Sequence, residues 1–548
     1  MRKSDPYFFT PKVIGQIPYL YVQRYIYPNN KRKTESFSLG PIRDIEKIFT
    51  TLMSTARTLF FGEALLYFFS QEIGLQEKIT KDFLIDKMNE KEIIHFHWLT
   101  VLRSIRPFSK YRLFRYIPQS YMSLETQVPH YTSIYYTMDD IKDLPNYFTH
   151  LSNFLAQSLH YTPKETHFDT TTIYFFSDYD FFRRKGFGKD GKRGSPLIKL
   201  SMACSEDYFP LEYKIYPGNV SDITTFKEYL QKMYKDPFFK EKTVVFDAGC
   251  YAFDIIQELE ENKVYYVCSA DITKYYLFSE PKESIKPKKR KKRSQIIPLP
   301  LECPEEPVQK IILNEQEWTI KPGIYQGKRV IIAFNEDHHR EASAKLDQKI
   351  DLVIKFAKEV KGRTLESKKG KIQSLINGLG LKALLEIIEE QSDLHIVKKN
   401  EKIDKRRKSL RKIVLITNYD YSISSIKILE QYLRRTTIER VFRYLKSPID
   451  LRPVYHWKER RIRAHCFIVA LGFLILAGFR LYLLYQHQVS VTFEQLIEIL
   501  QISSIIVLEP KRGFYMPYLS NQKKWINELV TSWKIPIKYT ENPLLSFK

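Results

Sequence analysis

The sequence predicts an α/β protein built on a mixed sheet with flanking helices. Two observations lead there. From His167 the apolar pattern changes from helical to strand-like for three successive runs. After those runs, helix and strand patterns alternate, as they do where helices cover a sheet containing parallel strands.

Taken in order, residues 1–162 predict an N-terminal α+β DNA-binding region. "YLYVQRYIY-PNN-KRKTESFSLG" alternates on both sides of a Pro-Asn-Asn turn, as a β-hairpin does. "IEKIFTTLMSTARTLFFGEALLYFFSQEIG" and "DDIKDLPNYFTHLSNFLAQSLHY" carry helical patterns. "RSIRPFSKYRLFRYI", Arg103 to Ile117, interleaves basic and aromatic residues, which suits phosphate contacts and an ordinary amphipathic surface alike.

Residues 163–270 contain the strand runs "HFDTTTIYFF", "LIKLSMACSE" and "FPLEYKIYPG". They are followed by the helix "SDITTFKEYLQKMY", the strand "TVVFDAG", the helix "YAFDIIQELEEN" and the strand "KVYYVCSA". This β-β-β-α-β-α-β order matches the ribonuclease-H-like architecture. Residues 271–412 predict an α+β insertion. It opens on the basic run "KPKKRKKR", Lys286 to Arg293, and continues with strands "KIILNEQEWTI" and "KRVIIAFN". Helices are expected around Leu346–Lys361 and Lys371–Gln391, then a second basic run, "KRRKSLRK". Residues 413–490 return to the sheet with "IVLITN" and the helix "QYLRRTTIERVFRYLK", and 491–548 form a C-terminal region.

Composition narrows the function. With 548 residues the chain is long enough for three or four domains. Lys and Arg number 87 against 63 Asp and Glu, a net charge of +24, which points to a polyanion, nucleic acid before an anionic membrane. Five scattered cysteines with no C-x-x-C pair support neither a disulfide framework nor a zinc site. The N-terminal stretch lacks the apolar region of a signal peptide. The apolar run Cys466–Phe479 ends at Arg480, short for a bilayer span, and reads as a buried core helix. A cytoplasmic protein with no membrane partner is expected.

Three acids stand where chemistry gathers. Asp169 lies in the first strand and Asp247 at the end of "TVVFD"; the carboxyl ends of strands in such sheets collect reactive groups. Glu439, on a packed helix, would complete a carboxylate cluster. Hard cations neutralise such clusters, so Mg²⁺ or Mn²⁺ is expected, two ions together activating a nucleophile and stabilising the leaving oxygen at phosphorus. On one continuous helix Tyr432, Arg435, Glu439 and Lys446 would fall in a stripe roughly 60° wide. Arg434, Arg435, Arg440, Arg443 and Lys446 around the acid suit DNA phosphates, although a solvated, salt-bridged helix shows similar charges. Asp178, Asp180, Asp190, Asp222 and Asp254 read as loop or helix-start acids, with Asp222 a cap or turn former. His338 and His339 read as a helix start, and His456 and His465 as packing or DNA-contacting residues.

The spacing Tyr432-x2-Arg435-x3-Glu439-x6-Lys446 resembles the Y-R-E-K signature of the insertion-sequence family four transposases, which are D-D-E enzymes. "RPVYHWKERRIRAHCFIVALGFLIL" resembles the segment after that glutamate in one subgroup. "YPGNVSDITTF" with "VVFDAG" resembles the blocks around the second aspartate, and "HFDTTTIYFF" with "GFGKDGKRGSP" those around the first. "FSLG", "FGEALLYFF" and "IRPFSK" extend the likeness to the N-terminal part.

The resemblance implies that Asp169, Asp247 and Glu439 bind the metals and that Tyr432, Arg435 and Lys446, with Arg443 nearby, contact DNA. It implies a transposase that cuts double-stranded DNA at terminal inverted repeats, joins the freed 3′-hydroxyl to target DNA, and works as a homodimer on DNA. Two other readings stay open: a ribonuclease-H-like nuclease without strand transfer, and a catalytically inactive DNA-binding relic. The family's insertion is mostly β, whereas helical patterns here mark a departure.

Overall fold

A computed structural model of the chain describes residues 8–26, 32–44, 46–47, 56–125, 130, 132–141, 143–175, 182–185, 196–235, 242–270, 307–313, 315–325, 328–361, 364–390, 393–447, 449, 451, 454, 456–511, 514–520, 524–533 and 535. The chain divides into two compact units. The first gathers Met1–Pro163, Asp169–Ser221 and Thr437–Lys548, the second Lys164–Phe168 and Asp222–Thr436.

The first unit opens with β1 (Phe8–Ile14), β2 (Ile17–Ile26) and β3 (Lys33–Pro41) in one antiparallel sheet. The expected hairpin is β2–β3, with Ile26 opposite Lys33; its Pro28-Asn29-Asn30 turn lies outside the described residues. Strand β1 went unread. Its signal is Gly15-Gln16, both at positive φ (55° and 70°), the two-residue turn that closes Ile14 on Ile17.

The helix expected from Ile45 is corrected. Glu46 and Lys47 are helical as expected, residues 45 and 48–55 lie outside the described set, Ala56–Phe60 form strand β4, and Gly62–Glu72 are helical again. Strand pairing with a late segment of the chain, described below, overrides local propensity. Helix Glu90–Ile105 starts on an Asn89/Glu92 capping box. Of the next predicted helix, from Asp139, the first two residues end helix Ser133–Asp140, Leu144–Tyr147 form a 3₁₀ turn with Pro145 at its start, and Phe148–Ser158 are α-helical. In the basic-aromatic run, Arg103 is buried and Arg106 lies 4.4 Å from the Phe60 ring centroid. Arg112 and Arg115 remain exposed.

The three expected strands are β5 (Glu165–Tyr174), β7 (Pro196–Cys204) and β8 (Pro210–Pro217), with the two-residue β6 (Arg184–Lys185) between β5 and β7. Strand β7 lies beside β5 and pairs antiparallel with β8. "GFGKDGKRGS", 186–195, lies outside the described residues, as do Asp178, Asp180 and Asp190.

In the second unit, helix Asp222–Met233 leads to β9 (Thr243–Phe246), and helix Phe253–Glu261 to β10 (Tyr266–Ser269). Strand β9 runs parallel to the start of β5 and to β10, and all four of its residues are buried, as both-face coverage demands. Counted along the sheet the strands run β8-β7-β5-β9-β10, three consecutive strands and then two parallel ones brought in by helices. The fold is α/β with a ribonuclease-H-like mixed sheet.

The sheet continues into the segment expected to form an insertion. "KIILNEQEWTI" is two strands, β11 (Gln309–Leu313) and β12 (Gln316–Tyr325), turning at Glu315 with φ 63°. With β13 (Lys328–Asn335) they extend the sheet in the order β11-β12-β13-β16-β10, where β16 is Lys412–Thr417. Between β13 and β16, helices Glu336–Glu359, Leu365–Gly378 and Asn400–Ser409 enclose a separate core around Ile350, Val353, Ile372 and Ile376. The helix expected to reach Gln391 stops at Gly378; Gly380, φ 70°, turns the chain into the hairpin β14 (Leu385–Glu390) and β15 (Asp393–Lys398). The run 286–293 lies outside the described residues.

Returning to the first unit, helix Glu459–His487 spans 29 residues and does not stop at Arg480, whose Nε donates to the Val491 carbonyl at 3.0 Å. By length and composition it could cross a membrane, but 83% of its most apolar window is buried in protein, as a core helix should be. Gly472 explains its close seat: a Cβ there would lie 2.9 Å from the Thr100 carbonyl. Strand β17 (Ser504–Lys511) pairs with β4 and with β18 (Phe514–Ser520).

Candidate active site

Asp247 follows the last residue of β9 and caps a 3₁₀ turn, its Oδ1 accepting from the Ala248 N–H at 2.8 Å. Parallel pairing of β9 with β10, Phe246 opposite Cys268, brings Ser269 alongside. The Ser269 hydroxyl donates to Oδ1 at 2.5 Å and accepts from the Ala248 N–H at 2.9 Å. Ser269 was missed in the sequence. Its only signal was position: the last residue of the strand parallel to the one carrying Asp247.

The helix expected over Gln431–Lys446 is corrected to two, Ser425–Leu433 and Thr436–Lys446. Between them the Arg435 N–H bonds the Tyr432 carbonyl, a tight i to i−3 turn, and the β-branched pair Thr436-Thr437 favours a new start over continuation. The single stripe therefore does not exist. Tyr432 lies in the last turn of the first helix, Arg435 in the turn between the two, and Glu439 in the first turn of the second.

That break serves the first helix's packing. Ile428 and Leu429 are fully buried against Val245, Val267, Ile331 and Leu415 of the sheet, each contributing roughly 2 kcal/mol. The same packing sets Tyr432 over the strand ends, where its hydroxyl bonds Ser269 and Arg435. Burial pushes that hydroxyl's pKa up, Arg435 opposing and the Asp247 charge adding. Arg435 is 3.3 Å from Asp247 Oδ2; its side chain is 17% exposed and that of Asp247 44%. Asp247, Ser269, Tyr432 and Arg435 are thus one polar cluster in the second unit.

Arg434 turns elsewhere. Its Nη2 and Nε meet the two oxygens of Glu165 at 2.5 and 3.2 Å, and His167 Nε2 lies 3.3 Å from Glu165 Oε2. Burial alone would raise the Glu165 pKa, but His167 and Arg434 bring it down to about 2. This arginine belongs to the framework.

In the first unit, Asp169 is the single residue of β5 that is not buried, and its Oδ1 accepts from the Thr170 N–H at 2.7 Å. Glu439 is exposed in the first turn of helix Thr436–Lys446, which favours an anion, while Arg443 and Lys446 occupy the last turn. Spacings of four and seven put Glu439, Arg443 and Lys446 on one face, opposite buried Ile438, Val441, Phe442 and Leu445.

Other basic residues are spent internally: Arg460 and Arg461 both hold Asp139, pulling its pKa to about 2. Among the remaining candidates, Asp222 begins its helix, Asp254 pairs with Lys227, and Asn335 caps the helix start that carries His338 and His339. His465 is buried, 3.2 Å from the Leu451 carbonyl, with its ring 5.5 Å from that of His456.

Carboxylate oxygens such as these are the donors that divalent cations take. Among the described residues, no three His, Cys, Asp or Glu side chains are grouped closely enough to hold a metal ion. The four described cysteines are buried thiols.

No curated protein matches the chain. Among solved structures, a chain from the cryo-EM structure of a piggyBac transposase synaptic complex with hairpin DNA gives a TM-score of 0.38 at 12% identity. It covers 87% of this chain and 85% of that one, a likeness too slight to carry an inference. Residues 162–475, more than half of the chain, match the family described as the transposase DDE domain. The chain belongs to the transposase DDE-domain family.

Proposed function

We propose that this transposase acts for a bacterial-type insertion sequence, of the kind bearing the Y-R-E-K signature, and that Asp169, Asp247 and Glu439 are its catalytic acids. The observation that carries the reading is the cluster at Asp247: an accessible carboxylate at the carboxyl end of a parallel strand, faced by the arginine of the signature. The three acids, by donor chemistry, would hold Mg²⁺ or Mn²⁺, two ions in all. When bound, such ions supply activation of the nucleophile and neutralisation of charge at phosphorus.

The chain's own residues do the rest. Arg435, Arg443 and Lys446 bind phosphates of the transposon-end duplex, and Tyr432, buried beneath Arg435, fixes the guanidinium's approach. Water is the first nucleophile, and the 3′-hydroxyl it releases is the second, attacking target DNA. The enzyme works on paired terminal inverted repeats as a homodimer, in the cytoplasm of a prokaryotic cell, with no membrane partner.

The test is Mg²⁺-dependent cleavage of a duplex carrying the DNA that flanks the coding sequence, comparing wild type with Asp169→Asn. Cutting at the repeat boundary that disappears in the variant, with joined product from a target plasmid, supports the reading. Cutting without joining supports a nuclease, and specific binding without cutting a relic.

A further inference from the structure

Helix Thr436–Lys446 is held by more than its apolar face. Arg440 and Tyr444, four residues apart, share a face about 100° around the helix from that of Glu439, Arg443 and Lys446. Each is taken by a partner from another element. Arg440 Nη1 donates to the Tyr208 hydroxyl at 2.8 Å, and the Tyr444 hydroxyl donates to Glu494 Oε2 at 2.8 Å. Tyr208 sits in the turn between β7 and β8 at φ 68°, a left-handed conformation that a bulky side chain rarely adopts. That turn is fastened from behind: Arg480 Nη1 donates to the Asp207 carbonyl at 3.3 Å, with its guanidinium carbon 5.6 Å from the Tyr208 ring centroid. Glu494 stands in the first turn of helix Phe493–Ile502, and the Phe493 ring centroid lies 5.7 Å from that of Tyr208 and 5.0 Å from that of Tyr444. A strained residue persists only where its neighbours over-determine it, and here what the strain delivers is a hydroxyl to Arg440.

We propose that Tyr208 and Glu494 are positioning residues that set the rotation of helix Thr436–Lys446 about its own axis, and so the place of Glu439, Arg443 and Lys446. This rests on the reading of Glu439 as a catalytic acid. Apolar packing is non-directional, so buried Ile438, Val441, Phe442 and Leu445 hold the helix down but tolerate small rolls. Hydrogen bonds are directional, and two of them on a second face remove that freedom. On a helix roughly 10–12 Å across, a roll of about 10° moves a surface side chain by roughly 1 Å. A displacement of that size can slow chemistry by about a hundredfold. Arg440, which its neighbours make look like one more phosphate contact, instead orients the acid beside it.

Single-turnover cleavage of the flanking-DNA duplex at saturating protein, with thermal melts and amide hydrogen exchange on the same full-length preparations, tests this. Tyr208→Phe keeps the ring and loses only the hydroxyl. It should cut about tenfold more slowly or worse, with its melting temperature little changed. Arg440→Ala should fall alike, and the double variant no further than either, because one hydrogen bond joins the two. Glu494→Gln, whose amide oxygen still accepts from Tyr444, should lose less than Glu494→Ala. Exchange within Thr436–Lys446 should quicken in Tyr208→Phe before any DNA is added, a readout that needs no cleavage. Wild-type cutting by Tyr208→Phe, additive losses in the double variant, or unchanged exchange overturns the positioning role. So does a loss of cutting that merely follows a loss of melting temperature. Glu439→Gln separates the two levels: normal cutting there removes the reading of Glu439 itself, while the hold on the helix is still decided by exchange.

Discussion

Arg434 and Arg435 are adjacent in sequence and meet opposite fates. Arg434 grips Glu165, whose side chain is 7% exposed, with two donors. Arg435 lies 3.3 Å from Asp247, whose side chain is 44% exposed, and also bonds the Tyr432 hydroxyl. The first acid is enclosed and locked in the charged form, its pKa held at about 2. The second pair joins an arginine that is 17% exposed to an acid that keeps nearly half of its surface in solvent. Burial of the acid, not residue type, separates the two ion pairs.

The largest contrast should come from neutralising the two acids. Asp247→Asn should lower DNA cleavage by roughly 10³-fold or more, as loss of a residue acting in a catalytic unit does, and leave the melting temperature nearly unchanged. Glu439→Gln should behave the same way, its carboxylate being exposed. Glu165→Gln should do the reverse, lowering the melting temperature while the surviving folded protein still cleaves. Cleavage time courses and thermal melts on the same preparations decide it. An Asp247→Asn protein that cleaves normally would remove Asp247 from the chemistry.

Next in size is Arg434→Ala. It leaves a buried carboxylate with only His167 beside it, and breaking such a pair costs about 3 kcal/mol when fully buried. Because the Arg434 side chain is 43% exposed, water compensates in part and about 2 kcal/mol is expected from denaturant unfolding. The matching Arg435→Ala change should cost less, because the acid it leaves, Asp247, is 44% exposed and is solvated by water.

The same pair sets an acid dependence. The Glu165 pKa is depressed from its ordinary 4.5 to about 2, so its contribution is complete above pH 4.5 and lost as pH falls toward 2. The shift corresponds to at most roughly 3 kcal/mol over that window. Thermal melts at pH 7, 4.5 and 3 should therefore show a steeper acid loss in wild type than in Arg434→Ala. Parallel slopes would mean that Arg434 does not hold the acid charged.

How far the sequence could be read followed the range of the interactions. Strands β5, β7 and β8 and the helix-strand pairs after them were legible, because their patterns are local and the parallel strands are short apolar runs between turn signals. Strand β4 was not legible, since what makes it a strand is a partner more than 440 residues later, Ser504 opposite Phe60. The break at Arg434 was hidden for a different reason. Charge and apolar spacing continue smoothly through it, and the tight turn from Tyr432 to Arg435, set by how Ile428 and Leu429 dock on the sheet, is information the periodicity does not hold. Asp247 was visible as an acid ending an apolar run; Ser269 became visible only with the parallel register.

The smallest expected effects concern phosphate contacts. Replacing Arg435, Arg443 or Lys446 singly by alanine should reduce the salt dependence of duplex binding, each lost phosphate contact lowering the slope of log K against log salt by about one. Arg434→Ala should leave that slope unchanged, its charge being committed to Glu165. Among the three, Arg443 and Lys446 share one face of their helix. A double variant of these two should therefore lower the slope by the sum of the single changes if each meets its own phosphate. It should fall short of the sum if both reach the same one, because the second cation then releases no further counterion.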